Sequence, residues 1–201
     1  MEYSQAMQIL VNEHETIESV LDAVEAVAGR ADAGPFPREF YEKAVDFIAT
    51  FADRCHHAKE EGQLFPLLAE RGMPLEMGPI GCMLEEHAQG RAHVAAIRGA
   101  LPAAAAGDAG AAQTVRDEAQ GYCGLLRTHI QKENNILFRW GDQLLTPEDK
   151  DTLQKRFQCS QHGPLPPGTH EKYIALAAEL RSIAGLKSAP QRQCCGAGAC
   201  G

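Results

Sequence analysis

Four stretches of the chain place apolar residues at alternating spacings of three and four, the repeat of a helix that buries one face. In the first, Met7, Leu10, His14, Ile17, Leu21, Val24 and Ala28 form the seam, and Gly29 with Gly34-Pro35-Phe36-Pro37 ends it. The second starts near Arg38, turns Val45, Ile48, Ala52 and Cys55 inward, and closes near Arg71-Gly72-Met73-Pro74. The third begins at Gly78-Pro79, where proline suits a first turn, and runs through Ile80, Met83, His87, Gly90, Val94, Ile97 and Leu101. After a loose connection from Pro102 to Gly110, the fourth carries Val115, Ala119, Tyr122, Leu126, His129, Glu133, Ile136 and Trp140. The pattern predicts an all-α, up-down-up-down four-helix bundle over residues 1–145.

Beyond the bundle, Thr146-Pro147-Glu148-Asp149 reads as a cap and first turn of a short helix reaching about Gln158. A linker at Gly163–Gly168 leads to a further helix from about Thr169 to Ala184. Residues 146–189 therefore read as a helical extension packed on the bundle. Residues 190–201, with Cys194, Cys195 and Cys200, lack an apolar seam and read as a mobile tail.

The seams are interrupted by histidines, and these repeat. His56-His57-Ala58-Lys59-Glu60-Glu61-Gly62-Gln63-Leu64-Phe65 returns at His129–Phe138 with His, Lys, Glu and Leu-Phe in the same places. Glu13-His14 returns as Glu86-His87 at the same offset along the chain. A histidine and a glutamate four apart share a helix face, and one such pair is more often a satisfied core histidine than a ligand. Two pairs, each in register with a further seam histidine, point to transition-metal binding. His57 and Glu61 form a competing pair with the same spacing. Stepping back from His56 by helical turns gives Ala52, Ala49 and Val45, whereas stepping back from His57 gives Asp53, Thr50 and Asp46. His56 and Glu60 are therefore chosen as ligands, and His57 and Glu61 are assigned to the flank or to a supporting place behind the ligands.

Imidazole and carboxylate donors without a cysteine favour iron or manganese over structural zinc. Six ligands suit two ions. His14 and His56 would hold one, His87 and His129 the other, with Glu60 and Glu133 bridging them. The composition adds limits. A net charge of −8 argues against nucleic acid or an anionic membrane as partner. No apolar run is long enough to span a bilayer, and the polar start Met1-Glu2-Tyr3-Ser4 does not resemble a secretory signal. Seven cysteines, odd in number and scattered, suggest a reducing, cytoplasmic compartment.

With these residues in place, the sequence resembles the hemerythrin-like, or HHE cation-binding, domain over about residues 5–142. Within that family His56-x-x-Lys59-Glu60-Glu61-x-x-Leu64-Phe65-Pro66, Met77-Gly78-Pro79-Ile80 ahead of Glu86-His87, and His129-x-x-x-Glu133-Asn134-Asn135-Ile136-Leu137-Phe138 are similar to the di-iron iron–sulfur cluster repair proteins. The resemblance implies two iron ions, oxo- and carboxylate-bridged, on His14, His56, Glu60, His87, His129 and Glu133. It also implies a part in nitrosative or oxidative stress. That part would be iron donation to damaged iron–sulfur proteins, or an oxidoreductase reaction with nitric oxide or peroxide. Sensing or binding of oxygen, nitric oxide or iron without turnover is the alternative. Oxygen carriers of the family have a fifth histidine one turn after the third-helix one, but Arg91 stands there and Glu18 at the matching place after His14. Two similarly open ions, reacting with a small ligand at both metals, are the expectation that follows.

Overall fold

The computed structural model describes residues 2–30, 34–160 and 168–187. Most of the expected linker, at 163–167, and the expected mobile tail with its three cysteines lie outside the described residues. Six helices and no strand occur among the described residues. α1 is Gln5–Ala28, α2 spans 38–70, α3 is Pro79–Ala105, α4 spans 109–144, α5 is Pro147–Ser160 and α6 is Thr169–Ile183. The first four form the bundle. α5 and α6 both pack on α1, and α6 also reaches α2.

The starts follow local chemistry. Ser4 caps α1 through the Met7 amide, Asp108 caps α4 through the Ala111 amide, and Pro79 opens α3. At α5 the cap is reciprocal: the Thr146 hydroxyl accepts from the Asp149 amide, and the Asp149 carboxylate accepts from the Thr146 amide. The same carboxylate takes two hydrogen bonds from Arg71 at the end of α2, fastening the extension to the bundle.

All seven seam residues predicted for α1, and all seven for α3, are buried. The buried apolar residues fall into two clusters. One gathers Leu21, Phe40, Phe47, Phe51, Ile97, Val115 and Leu126, together with Tyr173 and Leu180 of α6. The other gathers Met7, Leu10, Leu64, Phe65, Leu137 and Phe138, together with Leu153 and Phe157 of α5. The four seam histidines and two glutamates form a polar belt between them.

α2 and α4 are not regular. Each contains a π turn that begins at its seam glutamate, at Glu60–Leu64 and Glu133–Leu137, and the two turns occupy matching places in the internal repeat. The Phe65 amide donates to the Glu60 carbonyl and the Phe138 amide to the Glu133 carbonyl, five residues back in each case. The turn corrects the fourth seam. Ile136 and Trp140, expected inside, are 55 % and 42 % exposed. Leu137 and Phe138 take their places at 1 % and 0 %. An inserted residue per turn delays the inward face by one position, which a strict three-four reading does not anticipate. α2 carries a further, longer π segment, Ile48–His57, and its counterpart in α4 is ordinary α-helix.

Candidate metal centre

The six residues singled out by the repeat come together in the middle of the bundle, each no more than 1 % exposed. His14 and His56 face each other with Nε2 atoms 2.8 Å apart, and His87 and His129 do the same at 3.1 Å. The glutamates lie between the two pairs. Glu133 Oε2 is 3.1 Å from His14 Nε2 and 3.2 Å from His129 Nε2. The two oxygens of Glu60 lie 3.4 Å from His56 Nε2 and 3.6 Å from His87 Nε2.

The outer nitrogens show what the inner ones are for. His56 Nδ1 donates to Glu13 (3.0 Å), His87 Nδ1 to Glu61 (2.7 Å), His129 Nδ1 to Glu86 (3.1 Å) and His14 Nδ1 to Asn134 Oδ1 (2.9 Å). A carboxylate or amide oxygen can only accept, so each Nδ1 carries the hydrogen and each Nε2 is left as a bare lone pair. Lys59 and Lys132 in turn hold Glu13 and Glu86. Burial would raise the Glu13 carboxyl, but the Lys59 charge and the hydrogen bonds from His56 and Lys59 outweigh it and hold it at about 2. Burial and the neighbouring His14 push His56 down to about 4 against the pull of Glu13, so its imidazole is neutral at neutral pH.

This arrangement is unfavourable without a cation. Lone pairs face each other at hydrogen-bond distance, and all four oxygens of Glu60 and Glu133 are buried without a hydrogen-bond partner. A buried carboxylate oxygen left unpaired costs roughly 1–3 kcal/mol or more. Burial and the charge of Glu133 drive the Glu60 carboxyl well above its ordinary range, because the two cannot both stay ionised in isolation. Positive ions at the centre would remove every one of these penalties. Two nitrogens bound at right angles, each at roughly 2.1 Å, lie about 3 Å apart, which is the spacing the histidine pairs already have. The donor atoms fit a metal.

His57 was expected on the flank or in a supporting place behind the ligands. His57 is 5 % exposed, its ring stacked on His87 at 3.8 Å, and not on a solvated flank. The reason is the π segment Ile48–His57. One π turn back from His57 is Ala52 and a second is Phe47, both 0 % exposed, whereas the α-helical step back led to Asp53. Potential ligand atoms fall into two groups, His14, His56, Glu60 and Glu133 in one, and His57, Glu60, His87 and His129 in the other. Glu61 does sit behind the centre, holding His87. Asn134, which holds His14, was not singled out, though it lies at the repeat position of Glu61.

Residues 5–140 match the hemerythrin HHE cation-binding domain family. The chain belongs to it. Members bind metal cations, commonly iron, and small ligands such as oxygen, and the match takes in all six belt residues and all of the bundle but the last turn of α4. No curated protein and no solved structure matches the chain. Among the described residues no helix is long and apolar enough to cross a membrane.

Proposed function

We propose that this protein is a non-haem di-iron protein of nitrosative or oxidative stress. It would hold one iron on His14 and His56 and the other on His87 and His129, with Glu60 and Glu133 shared. The observation that carries the reading is the set of four unpaired carboxylate oxygens between two facing imidazole pairs. Nitrogen and oxygen donors without thiolate suit iron. The free thiols of Cys55, Cys82 and Cys123 fit the reducing, cytoplasmic compartment read from the sequence.

When bound, the irons supply electrons and open coordination positions for a diatomic or peroxide ligand. The chain supplies the rest. Glu13, Glu61, Glu86 and Asn134 fix the imidazole hydrogens on Nδ1 and so keep Nε2 free for the metal. Phe138 stacks on His14 at 5.5 Å and Phe65 on His87 at 6.1 Å, holding the rings upright and keeping bulk water from the belt. A damaged iron–sulfur protein is the expected recipient if iron is released.

Anaerobic loading with ferrous iron followed by nitric oxide titration under a reductant tests the reading. Two irons per chain and consumption of nitric oxide or peroxide are expected, with iron transfer to an apo iron–sulfur protein as the other productive outcome. One tightly held zinc per chain with no iron uptake would overturn it.

A further inference from the structure

We infer that His57 is a seventh protein ligand of the centre, a fifth imidazole belonging to the His87/His129 side, which leaves the open position on the His14/His56 side. The inference rests on the di-iron reading and adds to it an inequality between the two ions that the residues at 18 and 91 did not suggest.

Four observations carry it. A nitrogen of His57 lies within 4.8 Å of the ligand atoms of Glu60, His87 and His129. The ring is buried, and its Nδ1 faces a carboxylate oxygen of Asp53 at 3.6 Å, on the pattern by which His87 Nδ1 faces Glu61. The surroundings also treat His57 and His87 as a pair. Arg91 donates to Asp53 at 2.9 Å and to Glu61 at 2.7 Å, so one guanidinium anchors the carboxylate beside His57 and the one that holds His87 Nδ1. Arg91 thus braces the carboxylates behind both rings.

The internal repeat supplies the fourth observation. The position matching His57 in the second copy is Ile130, which is buried at 1 % and offers no donor. The position matching Asp53 is Leu126, and that matching Glu61 is Asn134. The twofold likeness of the centre therefore breaks at three neighbouring positions. On the His14 side two of them lose a polar group and the third loses a charge. Five imidazoles divide as two and three.

The test uses azide as an exogenous ligand and the iron-loaded full chain. Wild-type protein should bind one azide per centre and show two inequivalent iron sites by Mössbauer spectroscopy. His57→Phe keeps an aromatic ring against His87 but has no nitrogen to donate. It should bind a second azide, bring the two iron signals together, and lose affinity for one of its two irons by at least tenfold. If His57→Phe holds two irons with azide stoichiometry and spectra unchanged, His57 only packs on His87 and the inference falls. Two azides bound to wild-type protein would overturn it without any variant. Failure of wild-type protein to hold two irons would overturn the di-iron reading itself, a distinct result from the other two.

Discussion

Replacing Glu60 by leucine is expected to abolish metal binding and at the same time raise the melting temperature of the metal-free protein. Glu60 is the one residue common to both groups of potential ligand atoms, and it is 0 % exposed. Its removal takes a donor from each ion at once, whereas loss of His14 takes one from a single ion. In metal-free protein the same side chain is a burden. Both oxygens lack a hydrogen-bond partner, and the carboxyl is pushed well above its ordinary range by burial and by Glu133. Leucine of similar volume relieves an unpaired polar group, worth about 1–3 kcal/mol, or roughly 2–12 °C in a domain of this size. Wild-type protein should gain stability on adding ferrous iron, by mass action on the folded state; the leucine variant should gain none. Melting curves with and without iron give both readouts. A variant that melts below the metal-free wild type, or is still stabilised by iron, would contradict the assignment.

That trade shows why the centre was legible in the sequence. A fold optimised only for stability would not place two glutamates and four histidines on buried seams, so their common register in the two copies is a signal that packing does not produce. Where the helices are regular the seams can be read directly, as in α1 and α3. The errors come where the helix is not regular. Counting by three and four misplaces Ile136, Trp140 and His57, and each lies in or just after a π turn. A π turn has no composition of its own, so propensity carries no warning of it. The repeat does contain a hint: both copies end in Leu-Phe four and five residues after the glutamate, and both of those residues are buried in both copies. Two adjacent large apolar residues at that distance fit a turn with one extra residue. Asn134 can be found by carrying Glu61 through the same offset. The long π segment Ile48–His57 cannot, because its counterpart is α-helical.

The two halves of the repeat also differ in how deeply they bury the same ion pair, and this sets up the second large effect. Lys59 with Glu13 and Lys132 with Glu86 occupy matching places behind His56 and His129. The first pair is sealed, with side chains 3 % and 2 % exposed; in the second Lys132 is 36 % exposed and Glu86 11 %. Removing one partner of a sealed pair strands the other charge, at a cost of about 3–5 kcal/mol. A pair open to water is worth about 0–1 kcal/mol. In metal-free protein Lys59→Met should therefore lower the melting temperature by roughly 6–20 °C, and Lys132→Met by a few degrees at most. Comparable losses from the two would mean that burial is not what distinguishes the halves. The double variant Glu13→Gln with Lys59→Met separates a stranded charge from lost packing. With no carboxylate left to strand, it should recover much of the stability lost by Lys59→Met alone, because the two residues touch and their effects do not add. No recovery would show that the lysine stem, through its contacts with the apolar wall, and not its charge, is what holds this side of the belt together.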